Sequence, residues 1–279
     1  MIMSRIPYYH SMLERSKNLA QNIDDMFFRR KGKLYREFEN LYASLFDNSE
    51  QYIKVVTALS KKNKGLSREE IIKATGLSDG GALSEVLSDL DNCDLIRRYQ
   101  GFGKDERGAL YQLTDFYTFF YFKFIKKYST SEKPFWAYQI NTPVHNAWSG
   151  YAFEQLCLYH YNQIEKSLGI NGILTKVAAW SAKPDDSQVP PLKGAQIDLI
   201  ISRSDHIVNV CEMKFTDEEF SMTAGYREEI NNKIRRFRRD CKVRYPIHPV
   251  LVTTYGLKHN EHSDIFQKVV VQKDLFAEN

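Results

Sequence analysis

The sequence predicts a chain of mixed α+β and α/β class with two domains. Its 279 residues, 43% of them hydrophobic, are enough for two packed cores. Residues 51–128 show the pattern of three helices followed by two strands, whereas residues 146–279 alternate helical and strand-like segments. That alternation is typical of a sheet covered by helices. A polar stretch containing Pro134 and Pro143 separates the two parts, and we expect a linker there, over residues 129–145.

Charge, cysteine content and absent motifs restrict the class of protein. The formal net charge of +4 permits nucleic acid as a partner without requiring it. The four cysteines have no CxxC spacing, so we expect buried thiols rather than a zinc site. No apolar run approaches the length of a transmembrane helix, which favours a cytoplasmic protein without a membrane span. Because Gly32-Lys33 is followed by Leu34 and no GxxxxGK[ST] motif occurs, we expect no P-loop nucleotide binding by this chain alone.

Residues 1–50 are predicted to be helical. Leu34, Phe38, Leu41, Tyr42 and Leu45 recur at helical spacing and form one apolar face. We find no residue pattern in this segment that indicates catalysis or ligand binding. We therefore expect it to pack against a neighbouring element.

Residues 51–128 are predicted to contain a winged helix-turn-helix. The pattern from Ser67 to Glu70 is a capping box that begins the second helix, which ends near Gly76. The third helix begins near Ser78, and strands over 95–99 and 109–113 follow it. In DNA-binding proteins of this type the third helix enters the major groove and the wing contacts phosphate. The candidate DNA contacts are Ser78, Ser84 and Ser88 on the helix and Arg97, Arg98, Lys104 and Arg107 on the wing.

The same segment also suits contact with protein. Winged helices serve as packing modules as well, and the third helix carries carboxylates that repel phosphate. These carboxylates belong to Asp79, Glu85, Asp89 and Asp91. Both roles are therefore open for this domain. An aromatic-rich helix over 114–128 follows, and we expect it in the core or at a domain interface.

The second domain, residues 146–279, is predicted to begin with a helix from Asn146. Phe153 belongs to the inner face of that helix, and Glu154 lies at the edge of this face. Strands are expected over 173–180 and 249–254, on either side of a β-hairpin within 196–214. A long helix over about 222–240 has one apolar side, formed by Tyr226, Ile230, Ile234 and Phe237. Its other side is basic, which is typical of a solvated face but also suits phosphate contact; it contains Arg235, Arg236, Arg238 and Arg239.

Residues 196–214 contain the charged side chains that indicate chemistry. Two apolar, β-branched runs flank a polar turn at 202–206, which is the pattern of a β-hairpin. Side chains alternate along a strand, so Glu212 and Lys214 point to one face and Met213 to the other. If the strands pair around Ser204, Asp198 lies across from Glu212. Two carboxylates and an amine would then meet at one end of a sheet.

Such a group suits metal-dependent chemistry on a phosphate ester. Neighbouring carboxylates repel each other unless a cation joins them, and Mg²⁺ prefers one or two carboxylates together with substrate phosphate. An adjacent lysine can orient water or neutralise the charge that builds on the phosphate. The structural alternative is a surface hairpin with an ordinary ion pair.

The order of these elements resembles the PD-(D/E)xK nuclease superfamily, whose fold is restriction-endonuclease-like. The matching segments are Gly150-Tyr151-Ala152-Phe153-Glu154, Ile197-Asp198 and Glu212-Met213-Lys214. The proline of the family name is absent. The resemblance implies that Asp198, Glu212 and the main-chain carbonyl of Met213 bind Mg²⁺ or Mn²⁺. It also implies that Glu154 completes the site through water and that Lys214 positions the attacking water.

The wider layout is similar to the C-terminal part of archaeal-type AAA-like P-loop ATPases. In those proteins an ATPase module and a helical lid precede a winged helix and a nuclease-like domain. Residues 6–9, 22–28 and 34–45 resemble the lid. The resemblance implies a lid-like segment (1–50), a winged helix (51–128), a linker (129–145) and a nuclease-like domain (146–279). It also implies a separate P-loop ATPase as a possible partner.

Three functions are therefore compatible with the sequence. The first is a metal-dependent nuclease that hydrolyses DNA phosphodiesters. The second is a non-catalytic regulatory module that binds DNA or an ATPase partner, with the nuclease-like domain as its scaffold. The third is a nuclease that works only with an ATPase supplied by another chain.

Overall fold

The computed structural model describes residues 2–3, 6–103, 108–128, 134–187 and 191–277. The chain has the α+β class that the sequence predicts, with helices and mixed sheets. It divides into two compact units. Unit 1 comprises residues 1–98 and 109–152, and unit 2 comprises residues 99–108 and 153–279. Within the described ranges, no helix combines the length and the apolar character that crossing a membrane requires.

Unit 1 is mainly helical. Its helices are α1 (Pro7–Ser11), α2 (Leu19–Ile23), α3 (Glu37–Leu45), α4 (Ser49–Leu59), α5 (Arg68–Thr75), α6 (Gly81–Asn92), α7 (Phe116–Phe120) and α8 (Lys126–Tyr128). π-Helical turns continue α2 over Asp24–Phe28 and α7 over Tyr121–Ile125. Their inner faces form a core rich in aromatic side chains, in which Phe27, Tyr42, Phe120 and Phe124 are fully buried. Part of the aromatic stretch 114–128 thus belongs to the core.

The helix start predicted at Ser67 is confirmed. The Ser67 hydroxyl accepts a hydrogen bond from the N–H of Glu70 (3.2 Å), and the Glu70 carboxylate accepts one from the N–H of Ser67 (2.9 Å). Gly76 ends α5 in the left-handed conformation, with a φ of 70°. This reciprocal capping satisfies two amide donors that a helix otherwise leaves unpaired.

The next helix, α6, begins at Gly81, a few residues later than predicted. Asp79 instead accepts a hydrogen bond from the Arg68 guanidinium (2.8 Å), which also donates to the carbonyl of Gly80 (3.0 Å). These two contacts hold the residues before α6 in an extended connection. Strands β1 (Leu66–Ser67), β2 (Ile96–Tyr99) and β3 (Leu110–Leu113) then form a small sheet in the order β1-β3-β2.

Helix α9 (Pro143–Tyr159) begins inside the stretch predicted as a linker. Proline suits the first turn because its missing amide hydrogen has no partner there in any helix. The helix contributes its residues up to Ala152 to unit 1 and its residues from Phe153 to unit 2. Residues 129–133 of the predicted linker lie outside the described residues.

Unit 2 is built on a five-stranded mixed sheet in the order β10-β8-β6-β5-β4. Its strands are β4 (Thr175–Ala182), β5 (Ala195–Arg203), β6 (Val208–Lys214), β8 (Ile247–Thr253) and β10 (Lys268–Val271). The predicted hairpin is confirmed, because β5 and β6 pair in antiparallel orientation. Strands β6, β8 and β10 run parallel to one another, and β10 is an addition to the strands that the sequence predicts. A separate two-stranded sheet contains β7 (Phe220–Ser221) and β9 (Leu257–Lys258).

Helices cover both faces of the five-stranded sheet. On one face, Met213 of β6 belongs to a buried cluster with Phe153 of α9 and with residues of α10 (Tyr161–Ser167). On the other face, Val210 belongs to a cluster with Phe237 of α11 (Ala224–Asp240). Glu212 lies two residues from Val210, so strand alternation directs its side chain towards α11.

A short segment that the sequence predicts as wing belongs to unit 2. The N–H of Phe102 donates to the carbonyl of Ala179 (2.7 Å), and the ring of Phe102 packs edge-on against Phe237 with centroids 4.9 Å apart. Ala179 lies at a bulge of β4, where its main chain pairs with this segment instead of with β5. The predicted wing residues Lys104 and Arg107 lie outside the described residues.

Arg236 is predicted on the solvated side of the long helix, and the structure shows this prediction to be wrong. Its side chain is only 6% exposed. The guanidinium donates to the carbonyls of Lys183 (2.5 Å), Leu192 (3.4 Å) and Lys193, and it pairs with Asp240 (3.4 Å). Main-chain carbonyls of the polar insertion before β5 thus replace water around a group with five N–H donors.

The substitution Arg236→Met is expected to lower the free energy of unfolding by about 2–4 kcal/mol. It removes the buried guanidinium that donates to the carbonyls of Lys183 and Lys193 and pairs with Asp240, and breaking such a group of contacts is costly. The neighbouring Arg235→Met is the matched control, since Arg235 is 65% exposed and its surface pair with Glu228 contributes about 0–1 kcal/mol. Urea unfolding followed by circular dichroism measures both changes. Equal losses in the two variants would contradict the structural role of Arg236.

Candidate active site

Asp198 of β5 and Glu212 of β6 lie at the end of the hairpin away from its turn. The strand register pairs Leu199 with Cys211, and Asp198 and Glu212 are the next residues on their strands. The antiparallel register therefore places the two carboxylates across from each other. The amide of Gln196 donates to one oxygen of Asp198 (2.5 Å) and orients that carboxylate.

Glu154 of α9 adds a third carboxyl group. Its pKa is raised to about 8, first by burial and second by the negative charge of Asp198, while Lys214 acts to lower it. Charges shift a pKa in this way when they lie close to the group. The packing of Phe153 against the sheet fixes this part of α9, so Glu154 is presented to the same end of the hairpin.

Glu212 is held by side chains from both its own strand and α11. The ammonium of Lys233 lies 3.1 Å from each carboxylate oxygen, and the hydroxyl of Tyr226 donates to one of them. The ammonium of Lys214 is 3.4 Å from the same oxygen that Tyr226 contacts. Two cations and a phenol thus fix the position of a single carboxylate.

The sequence pattern missed Lys233 and gave Tyr226 only an apolar role. Burial is the largest single influence and acts to lower the pKa of Lys233, but the charges and hydrogen bonds of Glu212 and Glu229 together outweigh it, so the net shift is upward. Burial and Glu212 together raise the pKa of the Tyr226 hydroxyl strongly. The two residues are seven positions apart and therefore lie on the same face of α11. A lysine on a stripe of apolar residues is the signal that could have revealed this contact.

Lys214 lies at the accessible edge of the site. Its side chain is 35% exposed, compared with 14% for Glu212. Its ammonium also lies 4.7 Å from the ring centroid of Tyr226, a distance typical of a cation–π contact. The contacts with Glu212 and Tyr226 orient the ammonium while leaving it open to a ligand.

The donor chemistry of the site fits a hard divalent cation. Within the described ranges no group of three or more His, Cys, Asp and Glu side chains is arranged to hold a metal. Mg²⁺ commonly needs only one or two protein carboxylates and completes its shell with water and substrate oxygens. Burial, and after it the charge of Asp198, raises the pKa of Glu154, and a bound cation would favour the ionised form of this carboxyl group. Met213 is buried on the opposite face, so only its main-chain carbonyl could contribute.

The DNA contacts predicted in unit 1 are mostly exposed. Ser78, Ser84 and Ser88 lie on the surface around α6, and Arg98 is exposed on β2. Arg97 is half-buried and donates to the side chain of Gln112 (2.7 Å). Arg97 therefore has a structural partner within the small sheet.

The DNA contacts predicted on α11 have carboxylate partners. Arg235 forms an ion pair with Glu228, and the guanidinium of Arg239 donates to Asp240 (2.8 Å). Both arginines are exposed, and surface ion pairs of this kind are weak. A phosphate group could therefore replace either carboxylate partner.

No protein-family model matches the chain, and no curated protein or solved structure is significantly similar to it.

Proposed function

We propose that the protein is a metal-dependent nuclease that hydrolyses DNA phosphodiesters at this site. The observation that carries the proposal is the convergence of Glu154, Asp198 and Glu212 with two lysines at one end of a sheet. Carboxylates held this close together repel each other unless a bound cation neutralises them. Carboxyl groups with shifted pKa values are concentrated at functional sites. The sequence alternative of a simple surface ion pair accounts for neither the raised pKa of Glu154 nor the burial of Lys233.

The proposal includes the finer fold of both units. The order helix, antiparallel hairpin and parallel strands, with Glu154, Asp198 and Glu212-x-Lys214 in that sequence, supports a restriction-endonuclease-like domain of the PD-(D/E)xK type in unit 2. Three helices followed by a hairpin support a winged helix in unit 1. The resemblance to the C-terminal part of AAA-like ATPases motivates a separate P-loop ATPase as a partner.

Each site residue has a role in the proposed reaction. Asp198 and Glu212, with the main-chain carbonyl of Met213, would hold Mg²⁺ or Mn²⁺, and Glu154 would bind through water. When bound, the metal supplies Lewis-acid stabilisation of the phosphoryl oxygens and a water of lowered pKa. Lys214 orients the attacking water and stabilises the negative charge that develops on the phosphate. Glu154, with a pKa near 8, can hold or release a proton close to neutral pH.

Calorimetry and cleavage assays on one preparation test the proposal. We expect Mg²⁺ or Mn²⁺ to bind and to support nicking of plasmid DNA or cleavage of a DNA junction. Chelation by EDTA should abolish the cleavage. If neither metal binds and neither DNA form is cut, with or without an added P-loop ATPase, the nuclease proposal is wrong.

One observation favours a second candidate function, a non-catalytic module that binds DNA or protein. Both oxygens of Glu212 are already occupied by Lys233, Tyr226 and Lys214, so the site is partly neutralised without any metal. For this function we expect DNA binding that weakens with salt, because released counterions drive it. The same binding would persist in EDTA, and no cleavage would follow when Mg²⁺ is added.

A further inference from the structure

A basic pocket lies in unit 1, among residues that the sequence patterns gave only a packing role. It is a cavity of about 340 Å³ lined by Arg30, Gly32, Lys33, Tyr35, Arg36 and Asn40. Half of these residues are cationic and none is acidic. They lie in the segment that follows the π-helical turn at 24–28 and in the first turn of α3, which contains Asn40. The pocket is therefore a positively charged concave surface.

The fold holds this segment in a tight loop. The N–H of Leu34 donates to the carbonyl of Met26 (3.0 Å), and the Leu34 side chain is buried in the core. The N–H of Gly32 donates to the carbonyl of Arg29 (2.8 Å). A Cβ atom at Gly32 would lie 2.5 Å from the carbonyl oxygens of Asp25 and Met26, so only glycine fits this close approach. Hydrogen bonds and close packing thus fix the main chain that carries the side chains of the pocket.

The three cations of the pocket have no charged or hydrogen-bonding partner in the part of the chain that the structure describes. Within the described ranges, the side chains of Arg30, Lys33 and Arg36 take part in no ion pair or hydrogen bond. All three side chains are exposed. Elsewhere in the chain, exposed arginines such as Arg235 and Arg239 do have carboxylate partners. Three unpaired cations at one concave surface are suited to an external anion.

The carboxylates close to the pocket in sequence are bound by other residues. Asp25 forms ion pairs with Lys17 (2.8 Å) and Arg29 (2.5 Å). Glu37, the residue after Arg36, accepts a hydrogen bond from the hydroxyl of Tyr9 (2.5 Å). The exposed Glu39 accepts a hydrogen bond from the hydroxyl of Tyr121 (3.3 Å). All three carboxylates thus have partners that do not line the pocket.

We infer that this pocket binds neighbouring backbone phosphates of nucleic acid. Planar guanidinium groups present paired N–H donors that match phosphate oxygens, and the Tyr35 hydroxyl and the Asn40 amide add neutral donors at the same surface. Helix α6, by contrast, borders a groove with the acidic residues Asp47, Glu85 and Asp89, which disfavours phosphate there. The inference rests on the proposed function only in taking DNA as the ligand. It moves the DNA contact of unit 1 from α6 to the loop before α3.

Binding of a DNA duplex in EDTA tests the inference without any contribution from cleavage. The pocket variant carries Arg30→Gln, Lys33→Gln and Arg36→Gln. The matched control carries Lys61→Gln, Lys73→Gln and Lys127→Gln, which removes three exposed cations of unit 1 outside the pocket. Fluorescence anisotropy over a salt series gives the affinity and its salt slope. Circular dichroism checks that both variants fold.

We expect the pocket variant to bind DNA on the order of 10- to 100-fold more weakly near 0.1 M salt, with a salt slope reduced by roughly 2–3. The control should stay close to the wild type. Equal losses in the two variants, or wild-type binding by the pocket variant, would overturn the inference. Loss of binding to inorganic pyrophosphate or to phosphatidylserine vesicles alone, with DNA binding intact, would also overturn it. If the pocket binds DNA but no metal-dependent cleavage occurs, the nuclease proposal fails and this inference stands.

Discussion

Replacing Asp198 by asparagine is expected to lower the rate of metal-dependent DNA cleavage by at least about a hundredfold. Asparagine keeps the shape of the side chain and can still contact Gln196, but it lacks the charge that a divalent cation requires. Lys214→Met is expected to lower the rate by a similar factor, because it removes the ammonium that lies at the accessible edge of the site. Single-turnover cleavage of plasmid DNA measures both effects.

The two variants should differ in metal binding, which separates their roles. Calorimetry is expected to show loss of Mg²⁺ binding in Asp198→Asn and retention in Lys214→Met, since only Asp198 is proposed as a ligand. Asp217→Asn is the matched control, because Asp217 is exposed just beyond the end of β6. It should bind metal and cleave DNA as the wild type does. Full activity in both Asp198→Asn and Lys214→Met, with correctly folded proteins, would remove the basis for a catalytic site here.

The sequence could predict the hairpin and the relative placement of Glu212, Lys214 and Met213 because both depend on local rules. Side-chain alternation is fixed within a strand, and the polar turn sets which residues pair across the ladder. The same rules could not predict that Lys233 contacts Glu212. That contact depends on how α11 packs against the sheet, which brings together residues 21 positions apart. Tertiary packing of this kind is not encoded in a short pattern.

Local sequence patterns also could not predict which charged side chains are buried. Arg236 occupies a run of arginines that suits a solvated face, yet it is buried because a distant insertion supplies carbonyl acceptors. The basic pocket was missed for a related reason. The spacing of apolar residues predicts a helix but not which carboxylates pair with which cations. The positive charge of the pocket depends on that pairing, because Asp25 is bound by Lys17 and Arg29.

The stability of the protein is expected to depend on the protonation of Glu154. Its pKa is about 8 in the folded state and close to the ordinary value of 4.5 when the chain is unfolded. Between these values the folded state keeps a proton that the unfolded state releases. The free energy of unfolding should therefore fall as the pH rises from about 4.5 to 8, by up to about 4 kcal/mol. Below pH 4.5 the group is protonated in both states and has no effect.

The substitution Glu154→Gln should remove this pH dependence, because an amide cannot ionise. In EDTA, the variant is expected to be more stable than the wild type at pH 8 by a few kcal/mol, with a much smaller difference at pH 5. Urea unfolding at the two pH values measures the change, and the exposed Glu218→Gln serves as the control, with no expected shift. Added Mg²⁺ should reduce the difference at pH 8, since a cation that binds near ionised Glu154 stabilises the folded wild type. A stability difference that is the same at both pH values would show that neither burial nor the charge of Asp198 raises the pKa of Glu154 in the folded protein.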